Sequence, residues 1–331
     1  TPETRNLVNN SGLLVADMPM SWSEFDTIGS LNDDGSYRPT LLAAPGLSDF
    51  NNGFDAPGAR VSALPPGTDV ATTLANTAKP DDCVTAGPAP FDNGELHGLS
   101  ESWAGCAEGT TDVMFVVATP PDGDFVVHAR LQDEAGGGSA ALIADSLAVV
   151  DDATYPTTTV PEAPIAATGT VPASLSQRPS GVQSILVVEQ TRNLRIDVPA
   201  AWRDTRLFPS LHDDGSPRPR VVAALHVETM LAQWDAPGMI FNESPYTDPA
   251  TWLANRATGL SGCVDGGAQA YDDGEYHGLL HTRTNCGGTQ ARFVTLVVSP
   301  LDNSSTLTME VQLPTADDTN LSILLSSFGQ L

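Results

Sequence analysis

Alternating apolar and polar residues mark a first strand at residues 13–18 and one of the same kind at 194–198. In each place a proline, Pro19 or Pro199, breaks the pattern just ahead of a tryptophan, Trp22 or Trp202. A tryptophan that follows a strand in this way is expected to anchor a core. Apolar runs at 40–44 and 220–224 predict buried strands, and 227–234 predicts a short amphipathic helix. Strands are predicted again at 59–64 and 239–243. The next helix is announced by Thr247-Asp248-Pro249, a capping residue followed by proline at the first helical position, with Leu74 and Leu253 facing the core. A hairpin with arms at 113–119 and 125–132 turns at Pro121-Asp122-Gly123. Final helices are predicted at 139–150 and 319–328.

Between these elements lies a cysteine-bounded stretch that occurs twice, from Cys83 to Cys106 and from Cys263 to Cys286. Near the middle of each sits a tight-turn signal, Asp92-Asn93-Gly94 and Asp272-Asp273-Gly274. Asn-Gly and Asp-Gly tolerate the positive φ of a hairpin turn. A chain that reverses there carries its two cysteines to opposite positions on antiparallel arms, the separation a disulfide needs. The spacing therefore predicts Cys83–Cys106 and Cys263–Cys286, each stabilising its loop by about 3 kcal/mol. No close-set Cys or His partners support a zinc site.

The two stretches belong to a larger match at a fixed offset of 180 positions. Trp22 matches Trp202, Asp33-Asp34-Gly35-Ser36 matches Asp213-Asp214-Gly215-Ser216, and Asp55-Ala56-Pro57-Gly58 matches Asp235-Ala236-Pro237-Gly238. No gap is needed from Trp22 to Gln132, which matches Gln312. The pattern predicts a tandem duplication. The expected fold is α+β: two tandem copies of an antiparallel-sheet α/β sandwich, each with one hairpin disulfide. The expected division is a first domain at 1–150, a linker at 151–181 and a second domain at 182–331. The linker, with Thr157-Thr158-Thr159 and several prolines, reads as semi-extended, secreted in character and a candidate for O-glycosylation. Just beyond it, the apolar run 184–188 reads either as a strand of its own domain or as one that adds to a sheet edge elsewhere.

Charge narrows the range of partners. Asp and Glu outnumber Lys and Arg 41 to 15, a formal net charge of −26, and Lys79 is the only lysine. Such a surface repels nucleic acid and anionic lipid. The acidity fits a salty habitat or a GC-rich genome. No apolar run approaches the roughly 18 residues of a membrane span. Paired structural disulfides point to an oxidising, extracellular or cell-surface setting, and the export signal this calls for is expected outside Thr1-Pro2-Glu3.

Several segments resemble one family: Val198-Pro199-Ala200-Ala201-Trp202, Asp235-Ala236-Pro237-Gly238, Tyr271-Asp272-Asp273-Gly274-Glu275-Tyr276-His277-Gly278-Leu279 and Thr284-Asn285-Cys286-Gly287-Gly288-Thr289. They are similar to the PsbP-like α/β/α sandwich domains that accompany secreted actinobacterial proteins, among them trypsin-like serine proteases and lipoproteins. The resemblance implies a fold and an extracellular setting. It implies no common activity and carries over no site residues, and no His/Asp/Ser set stands in a trypsin-like context.

Glu95 with His97, and Glu275 with His277, form the most enzyme-like feature. Two apart on a strand, each acid and imidazole would share a face, a candidate ligand or metal face that still requires a nucleophile or metal and a pocket. The competing reading is a solvated hairpin face. Asp33-Asp34-Gly35 lacks the alternating acids and distant bidentate Glu of an EF-hand loop, and turn chemistry accounts for it. No cofactor is expected, weak calcium binding by the acidic surface aside. Gly136-Gly137-Gly138 has no phosphate-binding lysine and reads as a loop. The leading expectation is a non-enzymatic extracellular module for binding, adhesion or assembly. Its partner would be a protein, a cell surface or other copies of itself, the last in a filament or surface array. The second is a secreted hydrolase, or an accessory domain of a secreted serine protease, using the Glu95/His97 and Glu275/His277 faces.

Overall fold

The computed structural model describes the chain apart from residues 1–2, 10, 28, 52, 81–82, 151–164, 190–192, 208, 258–259, 261, 315–317 and 331, and the side chains of residues 48, 228 and 232. The Thr157–Thr159 run therefore lies outside the described residues. The fold is α+β with mostly antiparallel sheets and two disulfides. Contacts divide it into two compact units. Unit 1 comprises Thr1–Asn32, Tyr37–Thr158 and Leu211–Pro217; unit 2 comprises Asp33–Ser36, Thr159–Ser210 and Arg218–Leu331.

The elements of the first half are β1 (Thr4–Val8), β2 (Leu14–Pro19), β3 (Glu24–Asp26), β4 (Ser30–Leu31), β5 (Tyr37–Arg38), β6 (Thr40–Ala44), α1 (Leu47–Asn51), β7 (Gly58–Leu64) and α2 (Val70–Asn76). They continue with β8 (Val84–Asp92), β9 (His97–Gly105), the kinked turn α3 (Cys106–Gly109), β10 (Thr111–Thr119), β11 (Val126–Glu134), α4 (Ser139–Ser146) and β12 (Ala148–Val149). The main sheet of unit 1 runs β3-β6-β7-β11-β10-β9-β8, with a small sheet β1-β2-β12 beside it.

Strand β10 is buried over most of its length and carries an apolar run from Val113 to Ala118, whereas the equally buried β11 alternates apolar residues with the buried polar His128, Arg130 and Gln132. Val116, Val127, Ala129 and Leu131 pack with Trp22, Met18 and the α4 residues Ile143 and Ala144. On the opposite face Val113, Phe115 and Val117 pack with Leu74 of α2 and with Cys106. Helix α4 is shorter than its apolar pattern predicts. Leu147 takes an extended ψ of 122°, which lets Ala148 and Val149 return to pair with Val15 and Leu14.

The second half contributes β13 (Ala167–Thr170), β14 (Ser184–Val188), β15 (Leu194–Pro199), β16 (Asp204–Arg206), β17 (Ser210–Leu211), β18 (Pro217–Arg218), β19 (Arg220–Ala224), α5 (Val227–Ala232) and β20 (Gly238–Pro245). Then come α6 (Pro249–Ala257), β21 (Val264–Asp272), β22 (Tyr276–Thr284), β23 (Arg292–Pro300), β24 (Ser305–Leu313), α7 (Thr319–Leu325) and β25 (Gly329–Gln330). The main sheet of unit 2 runs β16-β19-β20-β24-β23-β22-β21-β13. Up to β21, each strand in this order lies 180 positions beyond its counterpart in unit 1, to within one residue at either end. Trp202, Val294, Leu296 and Val298 pack with Leu321 and Leu324 of α7 on one face. Asp248 caps α6, its carboxylate accepting from the Thr251 amide at 3.0 Å.

Of the two readings of 184–188, the structure has the first: Ser184–Val188 is a strand of its own unit, antiparallel to β15. Part of the expected linker is structured: β13 lies parallel to β21, pairing Ala167 with Ala268 and Thr170 with Ala270.

The Asp-Asp-Gly-Ser turns are held by arginines. In unit 1, Arg38 is 2 % exposed and donates to Asp213, to the Leu211 carbonyl at 2.9 Å and to Asn32 at 2.9 Å. In unit 2, Arg218 donates to Asp33 at 2.6 Å and Asn255 donates to the Asp34 carbonyl at 3.0 Å. Within each turn the second aspartate, Asp34 or Asp214, accepts from the amide and hydroxyl of the following serine.

Candidate functional site

In the β8–β9 hairpin, Gly94 takes φ +91° and the Asp92 carboxylate accepts its amide at 2.9 Å. Asn93 Oδ1 accepts the amides of Glu95 and Leu96, while its own Nδ2 donates to the carbonyls of Ala144 and Leu147 at the end of α4. The β21–β22 turn repeats the arrangement. Gly274 takes φ +90° and donates to Asp272, and Asp273 accepts from Glu275 and Tyr276. The turn residues are thus consumed in closing the turn. The disulfides Cys83–Cys106 and Cys263–Cys286 close the open ends, with Cα atoms 4.6 and 4.1 Å apart.

This geometry puts the glutamate of each pair in the turn and the histidine at the start of the following strand. Glu95 and Glu275 are exposed and belong to the turns. His97 is the exposed first residue of β9, whereas His277 follows Tyr276 in β22 and is half-buried, its Nδ1 out of contact with solvent. Neither pair is joined by a hydrogen bond among the described residues. The glycine that follows each histidine has a packing cause. A Cβ on Gly98 would lie 2.3 Å from the Val117 carbonyl oxygen, and one on Gly278 would lie 2.1 Å from that of Val297. The shared His-Gly-Leu run is therefore what the close approach of β10 and β23 demands.

Each of these sheets has, elsewhere, a buried polar residue paired with a more exposed partner. Glu101 on β9 is 4 % exposed, 2.9 Å from Lys79, and accepts from Thr85 at 3.1 Å. At the position 180 residues on stands His281, 1 % exposed, its Nε2 2.7 Å from Asp265. Burial lowers the His281 pKa against the opposing pull of Asp265. The Asp265 carboxylate is lowered first by the Gly267 amide it accepts at 2.7 Å, then by His281. A neutral imidazole donating to a carboxylate is the arrangement these directions describe. These pairs escaped the sequence reading. Their only signal was a polar residue at a matched position in both halves, with a partner 16 positions earlier across the hairpin.

A groove of about 510 Å³ opens on unit 1 where β8, β9 and β10 meet the start of α4. Val84, Ala86, Trp103, Met114 and Ala140 supply an apolar lining. Its two carboxylates are engaged by backbone amides: Asp112 accepts from Gly105 and Gly136, and Asp133 from Glu134, Ser139 and Ala140. A Cβ on Gly137 would meet Asp133 Oδ1 at 2.6 Å, so the glycine lets the loop close over that carboxylate. The groove offers apolar contact with its acids already committed to holding the loop.

Among the described residues no group of three or more His, Cys, Asp or Glu is placed to hold a metal ion, and no helix is long and apolar enough to cross a membrane. No protein-family model matches the chain, and no curated protein matches it.

Proposed function

We propose that the chain is a non-enzymatic extracellular module for binding or assembly, built from two tandem PsbP-like sandwiches. The observation that carries this reading is β13, an extended segment from outside the repeated region that is added to the open edge of a sheet. Addition of a strand through main-chain hydrogen bonds is a general mode of peptide recognition. The apolar groove beside β8 and the exposed Val84, at 78 %, give unit 1 a surface suited to side-chain contact with an apolar partner rather than to strand addition. Two disulfides are consistent with an extracellular location. The partner is a protein or cell-surface polypeptide, with other copies of the chain first among the candidates.

Light scattering coupled to size-exclusion chromatography, with electron microscopy across a range of salt, tests this reading. Association that grows with concentration supports it, and a persistent monomer removes self-assembly from it. Ester or peptide hydrolysis by the pure protein, abolished by His97→Ala or His277→Ala, would overturn its non-enzymatic part.

A further inference from the structure

The outer edges of the two main sheets differ at two residues. In β21, Ala268 and Ala270 are paired with His281 and Leu279 of β22, yet it is their carbonyls that receive bonds from the segment outside. Thr168 Oγ1 donates to the Ala268 carbonyl at 3.0 Å, and the Val171 amide donates to the Ala270 carbonyl at 2.8 Å. These two alanines therefore turn their backbone away from β22 and toward the edge. The residues 180 positions earlier, in β8, are Pro88 and Pro90, paired with Glu101 and Leu99 of β9. A proline at such a position costs the β8–β9 ladder nothing, because the missing N–H would have pointed outward. It does remove both outward amide donors, so that at these positions the edge offers an incoming strand carbonyls alone. Among the described residues β8 is the last strand of its sheet, whereas β21 carries β13.

The attachment of β13 is slender. All four of its residues are exposed, and its pairing with β21 is irregular between Ala167 and Thr170. Beyond it Val171 and Leu175 are only partly buried against the core of unit 2. Elements with few buried contacts open at the low end of a protein's stability range, and identical segments can then be exchanged between chains.

We propose that the β21 edge is a strand-acceptor site whose occupant is the segment 165–176, taken either from the same chain or from a second copy, and that Pro88 and Pro90 close the equivalent edge of unit 1. Each chain then has one donor segment and one acceptor edge. Exchange between copies is directional, running either to a closed reciprocal dimer or to an open head-to-tail array. The inference rests on the assembly reading above for its biological use, though the acceptor edge can be tested without it.

The probe is a fluorescent synthetic peptide of residues 165–176, titrated against the full chain and followed by anisotropy. The wild-type chain is expected to take it up slowly and saturably as its own segment is displaced. Ala268→Pro/Ala270→Pro is expected to lose that binding, and Pro88→Ala/Pro90→Ala to gain a second equivalent. Near-ultraviolet circular dichroism checks that each variant is folded. If the alanine-to-proline chain does not fold, the proline-to-alanine chain decides by itself. Failure of the wild-type chain to bind the peptide, equal binding by a folded Ala268→Pro/Ala270→Pro chain, or no second equivalent in Pro88→Ala/Pro90→Ala overturns the proposal. Chains that associate equally well with and without the Ala268→Pro/Ala270→Pro change keep the assembly reading and sink the exchange. Peptide uptake by chains that never associate keeps the acceptor edge and sinks assembly.

Discussion

Thr77 Oγ1 lies 2.9 Å from His128 Nε2 inside the core of unit 1, and the same hydroxyl donates to the Thr73 carbonyl at 2.8 Å. With its one hydrogen committed to Thr73, the hydroxyl must accept from His128. The network thereby assigns the proton to Nε2 and leaves Nδ1 as a bare lone pair. Burial, with Arg38, Arg60 and Arg130 adding positive charge nearby, holds the His128 pKa at about 3.

That shift has a sign for stability. The unfolded chain takes up a proton on this histidine as pH falls below about 6.5, while the folded chain resists until about pH 3. Unit 1 should therefore lose stability between those limits, by up to about 3 kcal/mol from pH 7 to pH 4. Urea unfolding of the wild type and of His128→Asn at several pH values checks this. The variant is expected to start less stable at pH 7 and to close the gap by a comparable amount at pH 4. A gap that stays constant would mean that His128 takes up its proton at the same pH in the folded and the unfolded chain.

The Glu-x-His-Gly-Leu run gives a second test, because its residues have separable roles. Gly98→Ala drives a methyl into the β10 backbone, an overpacking expected to cost about 2 kcal/mol or more. Glu95→Ala and His97→Ala alter exposed side chains and are expected to stay within about 0.5 kcal/mol of wild type. Thermal unfolding separates the two cases. Loss of partner binding in Glu95→Ala or His97→Ala at unchanged melting temperature would give these residues a role beyond the turn.

The elements most legible in the sequence are those fixed by local chemistry. Asp92-Asn93-Gly94 and its counterpart announced turns that their own carboxyl and amide groups close. Trp22 and Trp202 are buried as expected. The hairpin arms around Pro121-Asp122-Gly123 fall within two residues of their predicted limits. What stayed hidden depends on partners far away in the chain. β1, whose residues alternate between exposed and half-buried, has little apolar pattern of its own and exists because β2 pairs with it. β13 is Ala-Thr-Gly-Thr, exposed throughout, and only the free edge of β21 makes it a strand. The turn also absorbed Glu95, so only His97 of that pair lies on a strand.

The two disulfides make a third prediction. Each closes a loop with a sequence separation of 23, so Cys83→Ala/Cys106→Ala and Cys263→Ala/Cys286→Ala should each cost about 3 kcal/mol. Calorimetry with and without reductant measures the loss. Non-reducing peptide mapping should recover only the two pairs named, and a bridge joining Cys83 or Cys106 to Cys263 or Cys286 would refute the hairpin geometry.

The ion pair of Arg38 and Asp213 makes an asymmetric prediction. The guanidinium is 2 % exposed and the carboxylate 32 %, so removing each partner leaves a different charge behind. Asp213→Ala strands a buried cation that, among the described residues, keeps the Asn32 and Leu211 oxygens as acceptors. Breaking a buried pair in this direction typically costs about 3–5 kcal/mol. Arg38→Met leaves a carboxylate that water can reach, and the methionine fills part of the space the arginine stem occupied, so its cost should be about half as large. Asp213→Asn keeps an acceptor oxygen without the charge and should fall between the two. Chemical denaturation of the three variants gives the ranking, repeated in high salt to test how far solvent screens the pair. Little salt dependence in the wild type, with Asp213→Ala the most destabilised, is the outcome a buried arginine requires. Equal losses in Asp213→Ala and Arg38→Met would instead place the cost in lost packing around the turn rather than in the stranded charge.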